Sequence, residues 1–197
     1  MFENRIDPFQ NTVPLDCRYS ENIYTRQYNA ALNRFRFMLF KGTISRLKRK
    51  ILHRPQWLYD LNDLKRCLSL SGSCYAGIQV VRISSIIGSE GRTSDFDMDF
   101  HPLSETSRER WVNMAMAYLA RLPLPPIELI QVGNAYFVRD GHHRISVSQA
   151  FGQIAMDAEV IAWKASPPFP WQADAQQERR PFLLNNINLS ALLDQIL

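Results

Sequence analysis

The chain has 197 residues, of which 46% are hydrophobic and 21% are charged, so a disordered protein is excluded and a packed globular domain is expected. Three cysteines without paired spacing exclude a disulfide framework, and no apolar run reaches the ~18–20 residues that span a bilayer. The N-terminus lacks the basic start and apolar core of a signal peptide. The sequence therefore predicts a cytoplasmic protein without a transmembrane segment.

The first predicted element is a helix that begins near Ser20 and ends before Pro55. Within it, residues 34–54 contain eight of the 23 Lys and Arg residues and no acid, whereas the rest of the chain is net acidic. Its large apolar residues recur at spacings of three and four, which predicts a single apolar face. These residues are Phe37, Phe40, Ile44, Leu47 and Ile51.

This basic helix has three interpretations. Arg46, Lys48, Arg49 and Lys50 are candidate contacts of a nucleic-acid backbone, and the same basic face would suit an anionic membrane surface. In the third interpretation the helix packs on the core through its apolar face and leaves its basic face in solvent. The sequence alone leaves these three open.

The middle of the chain predicts two helices and one strand. A short helix covers Leu58 to Leu70, and the turn-rich stretch SLSGSCYAG separates it from a strand at Ile78 to Ile83. An acidic loop, GSEGRTSDFDMDFHPL, comes next. Residues 105–122 then read as an amphipathic helix that opens with a capping box of Thr106 and Glu109. Its apolar stripe is Trp111, Met114, Ala115, Tyr118, Leu119 and Leu122.

The second half begins with a hairpin. Ile127 to Val132 and Ala135 to Arg139 are predicted strands joined by a Gly133-Asn134 turn. A helix at residues 143–151, ended by Gly152, and a strand from Ala155 to Trp163 follow. The Pro-rich tail from Ser166 ends in a predicted helix at Ser190 to Leu197. The order of elements predicts an α+β fold with a small mixed sheet, packed helices and an N-terminal helical segment.

Three regions follow from this order. Residues 1–75 form a helical extension, residues 76–165 form the α+β domain, and residues 166–197 form the tail.

The turn DGHHR, which joins the second hairpin strand to the next helix, is the main candidate site. The unpaired N–H groups and the dipole of a helix N-terminus favour an anion, and Gly141 lets a ligand approach the backbone. Arg144 offers a fork of donors for phosphate oxygens, and His142 and His143 add further donors. Two alternatives remain open. Asp140 caps the helix and pairs with Arg144 while the histidines are exposed, or one histidine and Asp140 bind a metal ion.

The segment LPPIELIQVGNAYFVRDGHHRISVSQAFGQIAMDAEV resembles the ParB/sulfiredoxin-type fold, over about residues 78–163. Sulfiredoxins carry G-C-H-R in this turn, and here Gly141, His143 and Arg144 match, but His142 stands where the nucleophilic cysteine would be. Sulfinic-acid reduction is therefore not expected. Partition ParB proteins carry G-E-R-R and match at Gly141 and Arg144. Free serine kinases carry D-G-H-T-R and match at Asp140, Gly141, His142 and Arg144.

What these relatives share is a nucleotide phosphate at the turn, so the resemblance implies binding of ATP or CTP. It also implies that the loop after the first strand faces the same cleft. In that loop Glu90, together with Asp140, is a candidate general base or Mg2+ ligand, and Arg92 is a candidate phosphate ligand. The alternation of Asp95, Asp97 and Asp99 predicts three carboxylates on one face of an extended segment. The alternative there is an edge strand with a solvated acidic face.

The expected function is nucleotide phosphate binding, with Mg2+-dependent phosphoryl transfer or nucleotide hydrolysis of a kinase or NTPase type. The expected catalytic residues are Glu90, Asp140 and His142, and Gly141, His142, His143, Arg144 and Arg92 would bind the nucleotide. The alternative is a non-enzymatic, nucleic-acid-associated or regulatory module, and a nuclease is a third possibility. Homo-oligomerisation stays open.

Overall fold

The computed structural model describes residues 15–53, 55, 57–167, 169 and 171–172. The chain divides into two compact units, Met1–Ala165 and Ser166–Leu197. In the second unit the rings of Phe169 and Trp171 stack with centroids 4.9 Å apart. The helix predicted at Ser190 to Leu197 lies outside the described residues.

The first unit has an α+β architecture, as predicted. Two short 3-10 turns, Ile83–Ser85 and Glu105–Ser107, accompany the main elements. In chain order the helices and strands are α1 (Leu15–Ile51), β1 (Tyr59–Asp60), α2 (Leu61–Cys67), β2 (Leu70–Arg82), β3 (Ile86–Ser89), α3 (Arg108–Leu119), β4 (Ile127–Val132), β5 (Ala135–Asp140), α4 (His142–Ala150) and β6 (Ala155–Ala165).

Six strands form one mixed sheet in the order β1-β3-β5-β4-β6-β2. β4 and β5 are the predicted antiparallel hairpin, and β3 runs parallel to β5 with Ser89 beside Val138. Because the carboxyl ends of parallel strands meet at one edge of the sheet, the end of β3 lies next to the turn that leads from β5 into α4. This pairing brings the acidic loop and the DGHHR turn together.

A second core joins the helices to this sheet. Trp111 of α3 is fully buried, its ring lies 5.6 Å from that of Phe35 in α1, and its Nε1 donates to Ser146 Oγ of α4 at 2.8 Å. The buried indole N–H therefore has the partner that its burial requires. α3 is thereby fixed against α1 and α4, which sets the position of its N-terminal residues beside the start of α4.

The predicted apolar face of α1 is not the face that packs. Ala31, Phe35 and Met38 are buried, whereas the predicted stripe of Phe37, Phe40, Ile44, Leu47 and Ile51 is between 48% and 63% exposed. The helix has apolar residues on two faces, and the rest of the core covers only one of these faces. The interpretation in which this stripe packs on the core is therefore wrong.

Three local expectations are also corrected. The turn-rich stretch after α2 belongs to β2, which starts at Leu70 and tolerates its glycines through irregularities near Gly72 and Gly77. The capping box is not formed: the Ser104 hydroxyl accepts from the Thr106 N–H, which caps the 3-10 turn ahead of α3. Leu122, predicted in the apolar stripe of α3, lies beyond its end and is exposed. Within the described residues, none of the helices combines the length and hydropathy that a membrane crossing requires.

Candidate functional site

A small cavity of about 180 Å³ lies at the start of α4. Three parts of the chain form it: the loop after β3, the first turns of α3, and the turn between β5 and α4. The lining residues are Arg92, Arg110, Met114, Asp140, Gly141, His142, His143 and Arg144. All four residues predicted at the turn from Gly141 to Arg144 therefore meet Arg92, as expected, and Arg110 joins them.

Gly141 is required at this turn for two reasons. Its φ of 104° lies in the left-handed region, which disfavours residues with a side chain. A Cβ at this position would also lie 2.5 Å from Ile127 Cγ2 and 3.1 Å from Arg144 Nε. Gly141 is the N-cap residue of α4, and no side chain among the described residues caps the helix with a hydrogen bond. The alternative in which Asp140 caps the helix is therefore wrong.

Arg144 uses its donors within the protein. Nη1 donates to the carbonyl oxygens of Pro125 at 2.7 Å and Pro126 at 2.5 Å, and Nη2 donates to the Asp140 carboxylate. The side chain is only 10% exposed, so these charge-assisted bonds are partly shielded from water. The pairing of Arg144 with Asp140 is one of the alternatives that the sequence left open. Arg144 anchors the segment before β4 to the turn, and its role as a phosphate ligand stays a prediction.

His142 is buried rather than exposed. Its Nε2 is 2.6 Å from the hydroxyl oxygen of Ser89 at the end of β3, and its ring stacks on Phe96 with centroids 6.0 Å apart. Burial, followed by the charges of Arg92 and His143, lowers the pKa of His142 to about 4, while the charge of Asp140 acts in the opposite direction. The imidazole is therefore neutral at pH 7, and it links the end of β3 to the start of α4.

His143 contacts the same Phe96 ring as His142 does. Its ring meets Phe96 edge-on at 5.3 Å, and its Nδ1 is buried without a hydrogen-bond partner among the described residues. Burial lowers the pKa of His143, as do the charges of Arg92 and Arg110, while Asp95 and Asp140 raise it. A buried nitrogen without a hydrogen-bond partner costs free energy.

Two arginines supply the positive charge of the cavity. The Arg92 guanidinium lies 3.8 Å from the Asp95 carboxylate, and both side chains are nearly half exposed. Arg110, on the first turn of α3, has no ion-pair partner among the residues that the structure describes. Arg110 is not predicted from the sequence, because nothing local in residues 105–122 indicates that α3 packs beside the DGHHR turn.

Glu90 does not line the cavity. Its Oε1 accepts from Lys65 Nζ at 2.6 Å, and its Oε2 lies 3.8 Å from Arg139 Nε. Asp140, the other expected Mg2+ ligand, is paired with Arg144 instead. The two carboxylates thus sit in separate ion pairs, and their arrangement does not fit a shared Mg2+ ion, which needs several oxygen ligands around one point.

The acidic loop also departs from its predicted form. Asp97 is fully buried; its Oδ1 accepts from the N–H groups of Asp99 and His101 at 2.9 and 2.8 Å, and its Oδ2 lies 2.9 Å from His101 Nδ1. Asp99 accepts from Ser45 and Arg49 of α1. Atoms of Asp97, Asp99 and His101 lie within 4.8 Å of one another, which is a spacing that a cation could use. However, each carboxylate already has protein donors, so these residues tie the loop to itself and to α1. Neither the three-carboxylate face nor a solvated edge strand is formed.

Two of the four predicted nucleic-acid contacts are engaged by the protein. The Arg46 guanidinium lies 4.5 Å from the Trp57 ring, and Arg49 binds Asp99 and the carbonyl of Pro55. Lys48 and Lys50 are exposed.

Comparison of the chain with protein-family models, with curated proteins and with solved structures gives no match.

Proposed function

We propose that the cavity at the start of α4 binds the phosphate groups of a nucleotide. The proposal rests on one observation: Arg92 and Arg110 line a cavity at the N-terminus of α4. Within the described residues no carboxylate forms an ion pair with Arg110, so its positive charge is available to an anion. Guanidinium groups and free helix N–H groups are the donors that proteins use for phosphate oxygens.

The size of the cavity limits which part of the ligand it holds. A volume of about 180 Å³ corresponds to roughly six water molecules at their volume in the liquid. That space suits one or two phosphate groups and excludes a base and a ribose, which would extend into solvent or over the neighbouring surface. The nucleotide is therefore recognised mainly through its charge, and ATP and CTP are both suitable probes.

The resemblance of the DGHHR turn to the ParB/sulfiredoxin-type fold supports the same ligand. The α+β architecture with a hairpin leading into the turn is compatible with that assignment, which remains part of the proposal. Phosphoryl transfer has weaker support, because Glu90 and Asp140 are held in ion pairs and neutral His142 is tied to Ser89. Nucleotide binding is thus the function that the geometry supports best. Nucleotide hydrolysis is tested in the same experiment as binding.

Ligand-induced stabilisation tests this proposal. ATP, CTP and inorganic phosphate, each with and without Mg2+, should raise the melting temperature of the wild-type protein, because a ligand that binds only the folded state stabilises it. Arg110→Ala and Arg92→Ala should each weaken the affinity by about tenfold, as expected for one lost charge-assisted bond. Release of phosphate from ATP or CTP, followed in the same samples, reports hydrolysis.

Arg108→Ala is the matched control. Arg108 precedes Arg110 on α3, is exposed, and pairs with Glu105 at 3.6 Å outside the cavity. It should bind nucleotide as well as the wild type does. The proposal is refuted if no nucleotide stabilises the wild type, or if Arg92→Ala and Arg110→Ala bind as tightly as Arg108→Ala.

A further inference from the structure

The C-terminal half of α1 presents an apolar stripe to solvent. Its five members, at least 48% exposed, recur every three or four residues over four helical turns: Phe37, Phe40, Ile44, Leu47 and Ile51. The opposite face of the helix, with Phe35 and Met38, packs in the core. A contiguous set of large exposed apolar side chains on a folded unit marks a surface for another partner.

Positive charge borders this stripe on both sides. Lys41 and Lys48 lie along one edge, with Lys41 Nζ 5.5 Å from the Phe37 ring, and Arg36 and Lys50 lie along the other. All four basic residues are exposed, and residues 34–54 contain no acid. Asp99, an acid of the loop that contacts α1, is neutralised by Arg49. The surface is thus apolar at its centre and basic at its rim.

We propose that this face of α1 lies on an anionic lipid surface. The apolar stripe would enter the boundary between headgroups and acyl chains, and the lysines and arginine at its rim would reach lipid phosphates. The inference is independent of the nucleotide site, since none of its residues lines that cavity.

The charge pattern of this face argues against two other partners, a second copy of the chain and a nucleic acid. A second copy docked through the same stripe would oppose lysines with lysines, which is repulsive. A nucleic-acid backbone would neutralise the basic rim but leave five large apolar side chains without burial, and Arg46 and Arg49 are already engaged. An anionic lipid surface satisfies both the apolar centre and the basic rim.

Vesicle flotation of the full chain tests the proposal. The protein should bind vesicles of equimolar phosphatidylcholine and phosphatidylglycerol and should not bind vesicles of phosphatidylcholine alone. Lys41→Ala and Lys48→Ala should each lower the partition coefficient by about fivefold. The double variant Phe40→Glu, Ile44→Glu should lower it by about a hundredfold, because two buried apolar contacts are lost.

Ile154→Glu is the control, because Ile154 is 81% exposed and lies between α4 and β6, outside the stripe of α1. It should bind vesicles as the wild type does. Both glutamate variants are expected to fold, since they replace exposed side chains, and circular dichroism checks this. The proposal is overturned if the wild type does not bind the anionic vesicles, or if the Phe40→Glu, Ile44→Glu variant binds them equally well. A wild-type dimer that this variant dissociates, without vesicle binding, would assign the stripe to a second copy instead.

Discussion

His142 should make the stability of this protein sensitive to mild acid. The group has an ordinary pKa of 6.5 and a pKa of about 4 in the folded chain. Between these values the unfolded state binds the proton and the folded state does not. The contribution of His142 to stability is therefore complete above pH 6.5 and is lost as the pH falls towards 4. Linkage gives a loss of about 2.5 kcal/mol between pH 8 and pH 4.5 from this group.

His142→Gln isolates this effect. A glutamine amide reaches to about the position of Nε2, so it keeps a hydrogen bond to Ser89 but does not titrate. The free energy of unfolding, measured by urea titration at pH 8, 6 and 4.5, should fall less steeply with acid in the variant, with a difference of about 2 kcal/mol between the two proteins. His143, whose pKa is also lowered, contributes in the same direction to both proteins.

His53→Gln serves as the control, because His53 is exposed at the end of α1. The free energy of unfolding of His53→Gln should vary with pH as it does in the wild type. Parallel pH curves for the wild type and His142→Gln would refute the reasoning, because they would show that the buried environment beside Phe96 does not hold His142 in its neutral form.

Two further predictions concern the turn itself. Arg144→Ala should destabilise the protein by about 3 kcal/mol, because the carbonyls of Pro125 and Pro126 and the Asp140 carboxylate lose their shared donor. Arg144→Lys should recover only part of this loss, since one ammonium does not reproduce the planar fork; a loss below about 1 kcal/mol for Arg144→Ala in urea titration would contradict this role. Gly141→Ala should cost about 3 kcal/mol, from the left-handed backbone and the contact of its Cβ with Ile127. Gly152→Ala is its control, because Gly152 has φ 85° but nothing within 4 Å of the added Cβ, so it should cost only about 1 kcal/mol; equal costs for the two variants would rule out the steric part.

Elements with local signals are the ones that the sequence predicts correctly. The hairpin of β4 and β5 was predicted with its first strand at Ile127–Val132 and its turn at Gly133, and the start of α4 after Gly141 was predicted within one residue. These predictions succeed because alternation, turn residues and helix ends depend on neighbours within a few positions. Arg92 and the DGHHR turn line one cavity, although 48 residues separate Arg92 from Asp140 in the sequence.

The partners of those residues depend on how distant parts of the chain pack together. Ser89 and His142 are 53 residues apart, Arg110 reaches the cavity through the packing of Trp111, and Glu90 is taken by Lys65. Charge and periodicity restrict which residues prefer burial or pairing, but they do not choose among several suitable partners. α1 shows this most directly: it has two apolar faces, and only the position of α3 determined that Phe35 is buried and Phe40 is exposed.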